Sequence, residues 1–263
     1  MLNCVHIFPE KLFYRSAVNS GPNSMIEAKK NKLFENLFTI YNTRLLKGHF
    51  FRILLYGEEN FTACLNGKPS IIYANHSNWW DGLTAFYLSK TIWNIDAYVL
   101  MDIEQMQKYR FFKRLGAFSV NRNSPKEAME SVEYSANLLH NSNRFLWIFP
   151  QGIMQPNDFR PIVFYNGISK IAQKLGNVNL IPVAFRYEFL MEQRPEIFIS
   201  IGKAKTLNAQ EDVRELTGTL NNELVRELDA LKNKVINSGS EGFKIILQGR
   251  QSRNKTVDKI YGR

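Results

Sequence analysis

The chain has 263 residues, 44% of them apolar, which is enough to bury a core without disulfides or metal staples. Its two cysteines, Cys4 and Cys64, supply neither a metal-ligand spacing nor a disulfide framework, so an intracellular, reducing setting is expected. Lys and Arg outnumber Asp and Glu by 34 to 24, and the formal net charge of +10 favours anionic partners: nucleic acid, an anionic membrane surface, or phosphorylated or carboxylated substrates.

Residues 1–24 lack the continuous apolar core of a signal peptide and end in a turn-like Asn19-Ser20-Gly21-Pro22-Asn23-Ser24, so an irregular arm is expected there. From Met25 to Tyr56 the pattern predicts helix, broken near Lys47-Gly48. Leu33, Phe34, Leu37, Phe38, Tyr41 and Leu45 recur at three- and four-residue steps and form one apolar stripe among basic residues. Such a helix either packs on its own domain or lies on a lipid surface with its cations toward anionic headgroups. No stretch reaches the ~20 apolar residues that span a bilayer. Residues 1–60 are therefore read as an arm plus an amphipathic helical region, and residues 61–263 as the main domain with a C-terminal helix and a basic tail.

Strand and helix patterns alternate from Ile71 onward. Ile71 to Ala74 predicts a buried strand, Leu83 to Ser89 a helix, and Ile95 to Met101 the next strand. A basic, aromatic helix over Met106 to Leu115 stops at Gly116, and Ala117 to Val120 is a strand. Ser124 and Pro125 suit the cap and first turn of a helix running to about His140. Arg144 to Phe149 is the most apolar strand candidate. Ile168 to Leu175 is helical; Val178 to Phe185 and Ile197 to Ile201 are strands. Glu211 to Val235 is a long helix with Leu216, Leu220, Leu224, Leu228 and Leu231 on one stripe. Gly239 to Arg263 is basic and takes no assigned element. The alternation predicts an α/β fold with a mixed, mostly parallel central sheet flanked by helices. Sites in such sheets gather beyond the carboxyl ends of strands. Polar clusters at His76, Arg122 and Gln151 each directly follow a predicted strand.

The first cluster, Asn75-His76-Ser77-Asn78-Trp79-Trp80-Asp81, joins the Ile71–Ala74 strand to a helix, with Ser77 or Asn78 as candidate N-cap. Residues five apart do not share a helix face, so a His76–Asp81 pair requires His76 in the turn and Asp81 in the first helical turn. Asp81 then accepts from one ring nitrogen and leaves the other free to take a proton, a general base with its orienting carboxylate. The plainer alternative is a capping His76 and an Asp81 that merely favours the helix start. Trp79 and Trp80 suit an acyl pocket, a lipid interface or core packing alike. His6, His49 and His140 receive no chemistry.

The motif resembles the His-x4-Asp signature of the glycerolipid acyltransferases, the family that includes 1-acyl-glycerol-3-phosphate acyltransferase. Three further blocks follow in that family's order. Gly116-Ala117-Phe118-Ser119-Val120-Asn121-Arg122 resembles the second, whose arginine binds the acceptor phosphate. Phe149-Pro150-Gln151-Gly152 resembles the third, usually Phe-Pro-Glu-Gly-Thr-Arg. Leu180-Ile181-Pro182-Val183-Ala184 resembles the fourth. The resemblance covers roughly residues 70–190. It implies catalysis by His76 and Asp81 and substrate binding by Asn121, Arg122, Phe149, Pro150, Gln151 and Gly152. Phe149 and Pro150 also close a strand into the site turn, and Gly152 permits close backbone approach, with N–H groups around it expected to stabilise an oxyanion. Gln151 replaces the usual Glu, and Ile153 and Met154 replace Thr and Arg, so one phosphate contact is missing; Arg160 is a candidate substitute.

The resemblance further implies transfer of a fatty acyl group from acyl-CoA or acyl-carrier protein to a lysophospholipid hydroxyl, first of all 1-acyl-glycerol-3-phosphate giving phosphatidate. Another lysophospholipid or a glycolipid acceptor, or an idle lipid-binding relative, stays open. Neither a cofactor nor a metal is implied. With neither a zinc-finger spacing nor an RNP-like segment, no nucleic-acid partner is expected. The expected location is peripheral, on the cytoplasmic face of a membrane with an anionic surface.

Overall fold

A computed structural model of the chain describes residues 25–207 and 211–250. The expected arm over residues 1–24, with Cys4 and His6, and the last part of the basic tail, 251–263, lie outside the described residues. The elements run α1 (Lys32–His49), β1 (Arg52–Tyr56), α2 (Glu58–Thr62), β2 (Ser70–Ala74), α3 (Trp80–Tyr87), β3 (Ala97–Asp102), α4 (Ile103–Lys108) and β4 (Ala117–Val120). They continue with α5 (Pro125–Leu139), β5 (Phe145–Ile148), α6 (Gly167–Leu175), β6 (Val178–Glu188), β7 (Glu196–Ile201), β8 (Lys205–Leu207), α7 (Val213–Ser238) and β9 (Lys244–Gln248).

The strands form one sheet in the order β4-β3-β5-β2-β6-β7-β1-β9, with β8 pairing the start of β6. The β4, β3, β5, β2 and β6 neighbours are all parallel, so their carboxyl ends share one edge. The β6–β7, β1–β9 and β6–β8 pairs are antiparallel. A mixed, mostly parallel sheet flanked by helices is thus what the chain builds. Alternate residues of its central strands face opposite layers. Ile71, Tyr73, Leu146 and Leu180 pack with α5, α6 and the α7 leucines; Ile72, Ala74, Trp147 and Ile181 pack with α1, α2 and α3. Leu216, Leu220, Leu224 and Leu231 are each at most 1% exposed, and burying such a side chain is worth about 1.5–3 kcal/mol.

Three expectations change. Arg52–Tyr56 is a strand, not the end of a helix: its Ile53, Leu54 and Leu55 are buried on both sheet faces between β7 and β9. A short continuous apolar run carries no periodicity that separates strand from helix. Residues 52–56 of the expected N-terminal helical region therefore lie within the sheet. The α1 stripe also divides, because Phe34, Phe38, Tyr41 and Leu45 pack with α3 while Leu33 and Leu37 face outward. Met106–Leu115 breaks at Tyr109 into α4 and a 3-10 turn over Arg110–Leu115. Strand β9, in the unassigned tail, pairs β1 through register that no local pattern announces. Caps match local chemistry: Asn31 Oδ1 accepts from Phe34 N at 2.9 Å and Asp212 accepts from Arg214 N at 2.8 Å.

Candidate active site

The parallel strands deliver the three polar clusters to one edge. Beyond β2, the Asn75 side chain continues the strand ladder. Its Oδ1 accepts from Phe185 N at 2.8 Å and its Nδ2 donates to Phe185 O at 3.0 Å. Asn75 thereby anchors the turn that carries His76 to β6. The turn then enters α3, with Asn78 Oδ1 accepting from Trp80 N at 2.8 Å; the N-cap position is Trp79, one residue beyond the expected Ser77 or Asn78.

His76 Nδ1 lies 2.7 Å from Asp81 Oδ2. Asp81 is 0% exposed, yet both of its oxygens are satisfied. Oδ2 also accepts from Ser77 N at 2.6 Å and Asn78 N at 3.0 Å, and Oδ1 accepts from the Tyr187 hydroxyl at 2.7 Å. This set of donors satisfies a buried carboxylate and holds it in place. Burial, and next the charge of Asp81, push the Tyr187 phenol well above its ordinary pKa, so it remains a donor. With Nδ1 committed to Asp81, Nε2 is the nitrogen left to exchange a proton. The ring is partly exposed and rests beside Phe149, with centroids 4.9 Å apart.

The backbone of His76 is gripped from the β5 side. Its N–H donates to Gln151 Oε1 at 2.7 Å, and its carbonyl accepts from Gln155 N at 2.8 Å. Gln151 Nε2 donates to Gln155 Oε1, which closes a ring of hydrogen bonds. Gln151 is buried and both ends of its amide are engaged within the protein, so it positions His76 rather than facing outward. The Oε1 contact is one that a Glu carboxylate can also make.

Arg122 follows β4. Its Nη2 donates to Asp102 Oδ2 at 2.9 Å, its Nη1 donates to Gly152 O, and its guanidinium sits over the Tyr165 ring at 5.5 Å. Gly152 is required twice over. Its φ is +69°, and an added Cβ would fall 2.2 Å from Arg122 Nη1. The Gly152 N–H donates to Phe149 O at 3.0 Å, so it is not free for an oxyanion as expected. Asn121 engages Glu127 Oε2 and accepts from Asn123 N, shaping the turn behind Arg122. Pro150 is buried and its carbonyl accepts from Tyr165 N. Arg160 pairs with Asp229 of α7 at 2.6 Å and does not stand in for the missing arginine. Trp80 packs on His49 and Phe50, while Trp79 is partly exposed against it.

The strand-end rule singled out His76, Arg122 and Gln151 together. It missed Tyr187, Asp102, Asn75 and Gln155. Asp102 and Tyr187 each end a predicted or extended strand at the same edge, which was the available signal. Among the described residues no group of His, Cys, Asp and Glu is arranged to hold a metal, and no helix is long and apolar enough to cross a membrane.

A family model described as Acyltransferase matches residues 52–186, just over half of the chain. A 1-acyl-sn-glycerol-3-phosphate acyltransferase of Streptococcus pneumoniae is 26% identical over 119 residues, covering 44% of this chain and 40% of that protein. A putative 1-acyl-sn-glycerol-3-phosphate acyltransferase of Caenorhabditis elegans is 32% identical over 123 residues, with the same shares of 44% and 40%. The chain thus spans 40% of the length of these curated relatives. The crystal structure of a 1-acyl-sn-glycerophosphate acyltransferase from Thermotoga maritima superposes with a TM-score of 0.55 at 18% identity, over 76% of this chain and 79% of that one. That likeness is one of fold.

Proposed function

The chain belongs to the Acyltransferase family, and from that premise we propose that it moves a fatty acyl group from acyl-CoA or acyl-carrier protein to a lysophospholipid hydroxyl. The favoured acceptor is 1-acyl-glycerol-3-phosphate, which gives phosphatidate. The observation that carries the reading is the 2.7 Å His76–Asp81 pair at the strand edge that also holds Arg122. His76 Nε2 takes the acceptor's hydroxyl proton as its oxygen attacks the thioester carbonyl. The tetrahedral intermediate collapses with cleavage of the C–S bond, and the departing thiolate takes the proton back from Nε2. Asp81 holds Nδ1–H and stabilises the transient imidazolium. The acceptor oxygen is itself the nucleophile, so no acyl-enzyme is formed. Arg122 keeps donors beyond those given to Asp102 and Gly152, and these suit a phosphate oxygen. Asn121, Phe149 and Pro150 shape the same acceptor region.

One observation favours a second acceptor. Asp102 already neutralises Arg122, and Met154 stands where the family pattern has an arginine. A lysolipid with a less anionic headgroup, or a glycolipid, fits that balance. The net charge of +10 and the outward Leu33, Leu37 and Ile40 of α1 support peripheral attachment to the anionic cytoplasmic face of a membrane.

The test is acyl transfer in mixed micelles with a panel of labelled lysolipids, both donors and His76→Ala as control. Loss of the general base costs about 10²–10⁴-fold in rate. Transfer to lysophosphatidate that vanishes in His76→Ala supports the reading, and transfer only to another acceptor selects the second. A folded His76→Ala protein with normal turnover, or silence across the panel, refutes the mechanism. Arg122→Ala is expected to raise KM for a phosphorylated acceptor more than for the donor.

A further inference from the structure

Arg122 does not end the row of polar groups that begins at His76. Its guanidinium lies over the Tyr165 ring at 5.5 Å. Tyr165 is itself tied to the site: its N–H donates to Pro150 O at 2.9 Å, next to the Gln151 that holds His76. A Cβ added to Gly152 would fall 2.9 Å from its Cε2, so the ring also abuts the Gly152 turn. The ring is nevertheless 56% exposed. It lines an open hollow of about 360 Å³, together with Phe164, Asn166, Arg214 and Thr217. That volume lies at the lower end of the ~300–1,000 Å³ of small-molecule sites. Arg122 is not part of the lining, so Tyr165 stands between it and the hollow. His76, Arg122, Tyr165 and the hollow thus follow one another in that order.

The lining is polar without an excess of charge. Asn166 occupies the N-cap position of α6, but its side chain does not bond the N–H groups of that helix. Thr217 Oγ1 donates to Val213 O at 2.6 Å and lies 2.7 Å from Ser169 Oγ, which fixes the hydroxyl in place. Arg214 is the only ionised side chain among the described residues that line the hollow, and Asp212 and Glu215 flank it at the start of α7. An amide, a hydroxyl, a guanidinium and an aromatic ring suit a ligand of hydroxyl groups on a carbon skeleton. A further phosphate would meet one cation already offset by two nearby carboxylates, and an ammonium would meet Arg214 with no carboxylate in the lining. Arg122, in turn, is set for a single negative charge. Asp102 Oδ2 accepts from its Nη2 at 2.9 Å, and Asp102 Oδ1 accepts from Glu104 N at 3.0 Å, so this carboxylate is held beside any phosphate bound there. A phosphate monoester brings up to two charges against that pair; a diester brings one.

We propose that the hollow beside Tyr165 is a headgroup subsite, and that the acceptor is a lysophospholipid with an uncharged, polyhydroxylated headgroup. Its phosphodiester lies on Arg122, and its headgroup hydroxyls lie against Tyr165, Asn166, Thr217 and Arg214. This rests on the acyl-transfer reading and deepens its second acceptor: the hydroxyl to be acylated meets His76 Nε2, and the headgroup reaches past Arg122 into the hollow. Asp102 is the positioning residue that sets the charge preference. Lysophosphatidate has nothing beyond its phosphate to place against Asn166 and Arg214.

The experiment compares three lysophospholipids of one acyl chain in mixed micelles with the full chain: lysophosphatidylglycerol, lysophosphatidylethanolamine and lysophosphatidate. The highest kcat/KM is expected with the glycerol headgroup. Asn166 and Arg214 are both exposed, so their replacement leaves the core intact. Arg214→Leu and Asn166→Leu are each expected to lower the preference for lysophosphatidylglycerol over lysophosphatidate by about tenfold, the contribution of one hydrogen bond, and to do so through KM. Asp102→Asn keeps an oxygen to cap α4 and is expected to shift the same ratio toward lysophosphatidate by a similar factor. Binding is read without turnover by calorimetric titration with glycerophosphoglycerol, the water-soluble head portion. Wild type is expected to bind it more tightly than glycerol 3-phosphate, and Arg214→Leu to lose that difference. A wild-type preference for lysophosphatidate or for the ethanolamine headgroup overturns the subsite. So does a preference for the glycerol headgroup that survives in both Arg214→Leu and Asn166→Leu, because the headgroup is then held elsewhere. Glycerophosphoglycerol binding that depends on Arg214, in a protein with no transferase activity, refutes the enzymatic reading and leaves the subsite standing. Transfer to lysophosphatidate with no binding of glycerophosphoglycerol does the reverse.

Discussion

Replacing Tyr187 by Phe removes one oxygen and one hydrogen bond, the 2.7 Å donation to Asp81 Oδ1. Asp81 is 0% exposed, so water does not replace the lost donor without rearrangement. A hydrogen bond to a charged group contributes about 1.5–3 kcal/mol, and an abandoned buried acceptor costs toward the upper end. For a domain of this size each kcal/mol lowers Tm by about 2–4 °C, so a drop of roughly 3–12 °C is expected. Oδ2 keeps its bonds from His76, Ser77 and Asn78, so the carboxylate stays near its place and loses its clamp on one side. The kinetic expectation follows from that asymmetry: kcat falls about tenfold, well short of the loss in His76→Ala, through looser orientation of the imidazole. KM for donor and acceptor should change little, because the Tyr187 hydroxyl sits behind Asp81. Thermal denaturation and steady-state transfer in micelles measure both quantities. A Tyr187→Phe protein with wild-type Tm and kcat would refute the view that Tyr187 holds the Asp81 carboxylate in place for the proposed catalysis. An unchanged kcat with a raised acceptor KM would move Tyr187 into the substrate site.

Gln151→Leu opens the hydrogen-bond ring around His76 and should lower kcat by about 10–100-fold with KM nearly unchanged, whereas Gln151→Glu restores the acceptor for His76 N–H and most of the rate; kinetics of the two variants side by side test this. Gly152→Ala puts a Cβ 2.2 Å from Arg122 Nη1 at a φ of +69°; beyond about 1–2 kcal/mol of backbone strain, it should displace Arg122 and raise acceptor KM selectively. The hydrogen bond from Arg186 holds the Asp158 carboxyl below its ordinary pKa, so its contribution to stability is complete above the unfolded value of about 3.9 and is lost as pH falls through the lower folded value. The Tm advantage of wild type over Asp158→Asn should therefore be present at neutral pH and disappear in that acid window; an advantage that persists there would contradict the assignment.

The α/β class and the positions of most strands were legible because apolar runs alternated with helical patterns from Ile71 onward. The strand-end placement of His76, Arg122 and Gln151 was legible for the same reason: a parallel sheet sends every strand terminus to one edge. The His76–Asp81 pair was legible because both partners lie within one strand–turn–helix, where local geometry settles reach. What the sequence could not show is what depends on pairing between distant segments. Arg52–Tyr56 is a strand only because β7 and β9 supply partners, and Tyr187 meets Asp81 only because β6 runs past the end of β2. Likewise, Gln151 and Gln155 close on the His76 backbone, and Asp102 closes on Arg122, across strands whose neighbours are set by sheet order. Local pattern encodes which residues end a strand. Which strand ends lie side by side is decided by burial of the whole sheet between its two helix layers, and that is where His76 acquires its support.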